Sequence, residues 1–468
     1  MDDDFVLKEE IIPLKSRIWV SGADAGVALM QTFILTLISY YFISIRGLDA
    51  ILAGIVWLIF GIWNMVNDPI YGYISDRTKS KLGRRIPYIR YGAPLIALSY
   101  ILCWIYWPGS HTDQLSMFFQ LLVFLFFYDL LYTAVASALY VMPYEMAISN
   151  KARGGIFFWK VIFSVFAMVT PLLLIDIIKP ESESDLPFFQ TFQIILGILI
   201  GLIVFLSTFF YEEKKFPREE ESVSFLNSLK SSFKNRSFVV FEVISFTIIY
   251  VQGGILTGIP FYTDELEMPM MLLYGFLGIG IIMGIILFII KGRNISVKRA
   301  MQIMLIIFSI AGFIILFFGR ILALTMIGFI GLGIGLTGAL YLIPLMNGDV
   351  IDKDEDMTGQ RREGMYAGIN SFITKYAYSI AESVFLFIIS AFGFDITLDP
   401  GQQSFQVETG IIFGWMLLPA ILLLLCFFIM KLYPLTGPEW EKVKVRLAEV
   451  HKQKEIETLK RLGYKYVE

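Results

Sequence analysis

Residues 61–72 read GIWNMVNDPIYG and follow the apolar run ILAGIVWLIF. Gly61, Asn64, Asp68 and Gly72 recur at spacings of three, four and four, so a helix here carries one small, polar face among Ile, Trp, Met and Val. Asp68 is the residue on that face that can do chemistry. About 1.5 Å per residue from Asp76 places it roughly 12 Å into a bilayer. There an unpaired charge costs on the order of 2.5–3.5 kcal/mol. Such a carboxylate needs a proton, a metal cation or a basic side chain. Pro69 removes one N–H and frees a carbonyl nearby. Two readings follow: a site for a coupling cation or proton, or a permanent interhelical salt bridge.

Few basic residues lie at a useful depth. Lys375 falls about ten residues into a later apolar segment, and Lys160 follows Trp159 in another. Lys375 is also seven residues before Glu382, on the same helical face, so an internal neutralising pair is its alternative. For Lys160 the alternative is snorkelling to the interface, and for Asp24 an interfacial place near a helix start. Trp63, Trp159, Tyr366 and Tyr376 lie on polar faces, where an aromatic ring can stack on the apolar side of a ligand. Asp129 is the acid nearest mid-span in the fourth apolar segment, either a site residue or a structural hydrogen-bonding group.

The elements that hold these residues are long apolar helices. At 56% hydrophobic and 17% charged residues with mean hydropathy +0.68, the 468-residue chain is too apolar for soluble domains. Twelve runs are long enough to span hydrocarbon: 18–45, 51–75, 90–108, 115–144, 155–178, 188–211, 237–262, 268–290, 299–318, 321–346, 364–393 and 406–432. The charged segment YEEKKFPREEESVSFLNSLKSSFKNR (211–236) divides them six and six. The expected organisation is a six-helix bundle over 1–211, a central cytoplasmic loop over 212–236, a second bundle over 237–433, and a tail over 434–468. In the tail Thr436 is the expected N-cap of a surface helix with Pro438 in its first turn.

Of the 38 Lys and Arg, all but five fall on one side if the N-terminus is cytoplasmic: Arg46, Lys179 and Arg320 lie in outer loops, and Lys160 and Lys375 inside spans. The positive-inside rule then places both termini in the cytoplasm of a multi-pass cell-membrane protein. No cleaved signal peptide is expected from MDDDFVLKEE. Cys103 and Cys426 sit in apolar runs and offer no metal-ligand spacing, and His111 and His451 lie outside them, which excludes a membrane histidine relay. GxxxxGK[ST], HExxH and GxSxG do not occur, which disfavours an enzyme or a primary pump. A net charge of −3 says little about partners. No nucleic-acid partner and no cofactor are expected, and the chain is expected to act as a monomer in the bilayer.

Two segments carry a resemblance. NDPIYGYISDRTKSKLGRRIPY (67–88) and DVIDKDEDMTGQRREG (349–364) are similar to signature loops of the major facilitator superfamily, and within it of the glycoside, pentoside and hexuronide cation symporters, the melibiose carrier group. The resemblance spans roughly residues 16–435. It implies an all-α fold of twelve transmembrane helices in two bundles and symport of a small solute, a sugar or glycoside, by alternating access. It maps Asp68 and Asn67 onto cation-site positions, Asp24 and Lys160 onto sugar-contacting positions, and Lys375 onto a helix-11 lysine. Gly72, Asp76, Arg77, Arg84 and Arg85 fall in the loop that locks the cytoplasmic side, Gly72 permitting close helix approach.

Two departures bear on the ion. Asn64 stands where the sodium-coupled melibiose carrier has a second aspartate, and LYVMP (139–143) lacks that carrier's carboxylate in helix 4. A sodium ion prefers several hard, charged oxygens. A single aspartate with amide oxygens suits a proton better, so H+ is favoured over Na+ and no metal beyond sodium is expected. Two other classes remain open: a lysolipid or amphiphile carrier of the same superfamily, and a non-transporting membrane receptor or scaffold.

The charge asymmetry makes topology testable. Cysteines at Ser80 and Thr358 are expected to escape a membrane-impermeant maleimide applied to intact cells and to react in inverted vesicles. Labelling from outside would overturn the orientation.

Overall fold

The computed structural model describes residues 9–107, 113–180, 183–214, 232–290, 295–359, 362–464 and 466. Among these it is helical throughout. In chain order the helices are α1 (Leu14–Tyr40, continued as a π-turn to Ile45), α2 (Ala50–Arg77), α3 (Ile86–Leu102), α4 (Gln114–Met146), α5 (Asn150–Ile178) and α6 (Leu186–Ser207). After residues 215–231 of the central segment, which lie outside the described residues, come α7 (Arg236–Glu265), α8 (Met270–Gly284, continued to Ile290), α9 (Val297–Phe318), α10 (Leu322–Thr358), α11 (Glu363–Ala391), α12 (Phe405–Ile429) and α13 (Pro438–Arg461). Among the described residues ten helices are long and apolar enough to cross a membrane; α3, at 17 residues, is shorter.

Helix starts follow local chemistry. Asp49, Asp113, Ser149, Asn235, Ser296 and Ser404 each cap a helix, their side chains accepting a first-turn N–H. The expected cap at Thr436 does not form. Gly437, at φ +88°, precedes Pro438 as the N-cap residue and turns the chain into α13 without a side-chain cap. The two signature segments are also more helical than expected. α2 continues through Gly72 to Arg77, and α10 runs through Asp349 to Thr358 until Gly359, at φ +71°, ends it. The third helix is displaced relative to expectation, closing at Leu102 rather than 108.

Apart from α2, which packs most extensively on α11, helices α1 to α6 pack chiefly on one another, as do α7 to α12, and the halves also meet through α1 with α7 and α5 with α8. Small residues set these approaches. A Cβ on Gly61 would stand 2.4 Å from the Tyr376 ring. Within the C-terminal half, a Cβ on Gly280 would stand 2.1 Å from the carbonyl oxygen of Ile330, and one on Gly333 2.2 Å from that of Leu277, so α8 and α10 touch backbone to backbone.

One end of the molecule carries the α2–α3 loop and α13 and is called the tail face here. Glu213 accepts the backbone N–H groups of Arg84, Arg85 and Ile86 at 2.6–2.8 Å, and Arg84 pairs with Glu145 at 2.8 Å. α13 lies across this face. Trp440, Leu447 and Leu459 are buried while Val450 is exposed. Lys444 pairs with Asp349 and His451 with Glu355, both at 2.8 Å, Arg446 pairs with Asp356, and Glu455 accepts the backbone and side-chain N–H groups of Asn150. The tail thus joins α10 to the start of α5. The acidic stretch 349–356 is a docking ridge for it, which is why α10 stays helical there.

At the far face the halves are tied directly. Asp264 of α7 accepts from Lys179, just after α5, and from Tyr40 of α1.

Gly280→Ala places a methyl against backbone that cannot yield and is expected to cost about 1–3 kcal/mol. Gly278, with open space around its Cβ position, serves as the control. Thermal melts in detergent should show a lowered Tm for Gly280→Ala and none for Gly278→Ala; equal melts would remove the close-approach argument.

Candidate functional site

Asp68 of α2 accepts a hydrogen bond from Lys375 Nζ at 2.6 Å and from Ser371 Oγ at 2.8 Å, both on α11. The pair joins the two halves. Each side chain is about a quarter exposed, 23% for Asp68 and 25% for Lys375, so the pair is not sealed inside the protein. Lys375 therefore answers Asp68 and not Glu382. Ser371 precedes Lys375 by four residues, one helical turn, and that spacing was the signal by which it was detectable.

Beside this pair lies a second polar group inside the N-terminal half. The Asn67 amide donates to Asp129 of α4 and to Thr133 Oγ1 at 3.0 Å. Asn67 and Asp129 are buried, at 3% and 4% exposure. The Trp63 indole lies beside Asp129 without closing a hydrogen bond, and its ring packs edge-on against Phe126. The side-chain oxygens of Asn64 and Asn67 are buried with no hydrogen-bond partner among the described residues. Buried amide oxygens in that condition are acceptors available to a ligand. The buried mid-helix carboxylate of α4 is Asp129, which lies earlier in the helix than Pro143.

Asp24 of α1 and Lys160 of α5 form an ion pair at 3.1 Å, and Lys160 Nζ also reaches the carbonyl oxygen of Leu139 at 3.4 Å. Lys160 is 9% exposed and points inward, so it does not snorkel. Tyr376 lays its ring on Gly61, which makes it part of the α2–α11 contact. Tyr366 is fully buried against Phe238, and Trp159 packs near Phe158 and Phe163.

Of the expected gate, Arg84 and Arg85 tie the loop to Glu145 of α4, to Ser75 of α2 and to Glu213, beyond the end of α6. Arg77 is exposed at the end of α2. The side chain of Asp76 lies outside the described residues. Gly72 does not mark a close approach: among the described residues nothing stands within 4 Å of its Cβ position, nor of that of Gly368 on α11. Both glycines lie one turn from the Asp68 contact toward the tail face. The seam between α2 and α11 is therefore tight from Gly54 and Phe387 to Asp68 and Ser371, and open beyond.

This arrangement defines a class. Apolar helices in two halves, charges paired at mid-depth, and one face tied while the seam opens toward the other make a multi-pass membrane transporter. The family model described as MFS/sugar transport protein matches residues 21–437, and the chain belongs to that family. Among curated relatives, the uncharacterized symporter YnaJ of Bacillus subtilis is 24% identical over 92% of this chain and 94% of its own. The glucuronide carrier protein homolog of Escherichia coli is 22% identical over 88% and 90%, and the isoprimeverose transporter of Lactiplantibacillus pentosus 24% over 83% and 82%. The crystal structure of the nucleoside transporter NupG, 13% identical, covers 91% of this chain and all of its own at a TM-score of 0.60, which shows a shared fold. The chain is a transporter and not an enzyme.

If Asp68 and Lys375 are energetically coupled, removing one partner is worse than removing both charges. Lys375→Ala is expected to lower stability by about 1–2 kcal/mol more than Asp68→Asn combined with Lys375→Gln, the buried-pair figure being discounted for exposure. Thermal melts compare them; a double variant no more stable than the single one would show the pair uncoupled.

Proposed function

We propose that this protein is a cation-coupled symporter of a sugar or glycoside, with twelve transmembrane helices in two six-helix bundles and both termini in the cytoplasm of a cell-membrane protein. In this reading α3 and α5 complete the spans, and the tail face is cytoplasmic. The names of the relatives, among them symporters and carriers of a glucuronide and of isoprimeverose, support the substrate class. They also set the receptor or scaffold reading aside and favour a sugar over a lysolipid.

The observation that carries the coupling is the bond from Lys375 to Asp68 across the two halves. A carboxylate that holds the halves together while charged releases them when neutralised, and reorientation of the two bundles about a central site requires such a release. A proton on Asp68 removes its charge and frees Lys375. Asp24 and Lys160, paired when no solute is bound, would then exchange one another for the hydroxyls of a sugar. Lys160 offers a point charge in place of the fork an arginine would present. Proton coupling is the primary reading. Sodium is the second, favoured by the oxygens of Asn67, Asp129 and Thr133 that meet between α2 and α4, with the buried amide oxygen of Asn64 and the Asp68 carboxylate on the same helix as Asn67. Such a set is harder and more highly charged than one aspartate alone.

Asp68→Asn mimics the neutral state. In proteoliposomes it is expected to keep binding and equal-concentration exchange of the substrate while losing accumulation driven by a pH or sodium gradient. Concentrative uptake that survives the substitution makes Asp68 structural, and loss of exchange assigns it to the substrate site or the fold. Accumulation by the native protein in response to sodium but not to pH would reverse the choice of ion.

A further inference from the structure

Glu382 of α11 is fully buried, at 0% exposure, between α1, α2 and α7. It lies two helical turns from Lys375, toward the far face, and the coupling reading makes no use of it. Other carboxylates along the contact between the halves have a cation: Asp68 has Lys375, and Asp264 has Lys179. Among the described residues Glu382 has none. Its neighbours are Ser39 of α1, Thr257 of α7 and Tyr378 on its own helix.

The hydrogen bonds around it identify its state. Trp57 Nε1 of α2 donates to Ser39 Oγ at 2.8 Å, and Ser39 Oγ donates to Glu382 Oε2 at 3.2 Å. On the other side Tyr378 Oη lies 2.8 Å from the carbonyl oxygen of Leu35 and 3.2 Å from Glu382 Oε1. A phenol has one proton. It goes to the nearer acceptor, Leu35, which leaves Tyr378 Oη facing Oε1 as an acceptor. Two acceptors face each other unless Oε1 carries a hydrogen. With that proton a continuous donor-to-acceptor chain runs from Trp57 through Ser39, Glu382 and Tyr378 to Leu35, while Thr257 donates to the carbonyl oxygen of Gly253. Ser39, Trp57 and Leu35 belong to the N-terminal half, Glu382 and Tyr378 to the C-terminal half.

We infer that Glu382 is a proton-binding site that locks the far face shut, its carboxyl proton completing a hydrogen-bond chain between the two halves. Loss of the proton leaves a bare carboxylate in a sealed, cation-free position. That state is relieved when the halves separate at the far face and water reaches the group, which takes the proton from Oε1. Charges on the packed elements are already engaged: Lys375 with Asp68 inward on α11, and Asp264 outward on α7 with Lys179 and with Tyr40, the residue after Ser39. Other buried carboxylates without an ion-pair partner among the described residues differ in place, Glu265 for one being held by the backbone N–H of Gly401 in its own half. Glu242 is bonded to Asn370 and Asp129 to Asn67, each within one half, so neither can tie the halves together. The inference goes beyond the coupling role given to Asp68 and does not require it.

The test reads conformation without substrate. Spin labels on cysteines at Leu115 and Phe405, exposed first-turn residues of α4 and α12, report the far-face separation in lipid nanodiscs, with Cys103 and Cys426 replaced by alanine. The closed state binds one more proton than the open one, so the closed-to-open ratio should fall by up to about tenfold per pH unit as pH rises past the titration of Glu382. Glu382→Gln, which keeps a donor and an acceptor, should stay closed at every pH. Tyr378→Phe removes the link to Leu35 and should shift the native response toward the open state. Glu242→Gln, at a carboxylate bonded within one half, should retain the response. A pH response unchanged in Glu382→Gln, or lost in Glu242→Gln while kept in Glu382→Gln, overturns the proposal. Should the glutamine variant fail to fold, Tyr378→Phe decides alone, and a native response there overturns it.

Discussion

The structure depends on the cost of an unpaired charge in hydrocarbon. A carboxylate at mid-depth is tolerated only with a cation, a proton or water beside it, and the interior carboxylates differ in which of these they have. Asp24 is answered within its own half by Lys160. Asp68 is answered from the opposite half by Lys375 and Ser371. Asp129 is bonded by an amide, and Glu382 by hydroxyls. These are different solutions to one physical problem. Only those that cross between halves can link a change of charge to a change of arrangement.

The seam between α2 and α11 shows how packing serves that linkage. Gly54 and Gly61 let Phe387 and Tyr376 lie against the backbone of α2, and Ser383 Oγ donates to the Gly54 carbonyl oxygen at 2.8 Å. Close approach brings the polar groups of one half within hydrogen-bonding reach of the other. A seam of large side chains would hold Lys375 too far away to meet Asp68. Toward the tail face the same helices present Gly72 and Gly368 to open space. The two ends of the molecule are accordingly held by different means: at the far face the halves bond to each other, while the α2–α3 loop is fastened within the N-terminal half and α13 reaches across from the C-terminal one.

Glu10, on the tail face, illustrates how burial and bonding compete outside the membrane. Burial raises its carboxyl pKa, but Lys214 and the backbone N–H groups of Ser149 and Ile148 outweigh that and hold it below the usual range. A group so depressed adds stability above its ordinary titration range and loses it as pH falls through the lowered value. The bonds fasten the segment before α1 to the α4–α5 turn, next to the place where Glu455 of the tail meets Asn150.

Composition alone establishes a membrane protein, because no soluble fold hides so many apolar residues among so few charges. Periodicity places Gly61, Asn64, Asp68 and Gly72 on one face of α2, and a fixed rise per residue sets Asp68 and Lys375 at comparable depth. Depth is a one-dimensional quantity, and the chain writes it out directly. The partner at that depth is not written there. Asp68 and Lys375 are 307 residues apart, and Ser39 and Glu382 are 343 apart. Which of several charges meet is decided by the rotation of each helix about its axis and by its neighbours, properties of the packed assembly. For the same reason Lys375 pairs with Asp68 and not with Glu382 on its own helix, the 349–358 stretch becomes helix under the tail, and Asp129 joins Asn67.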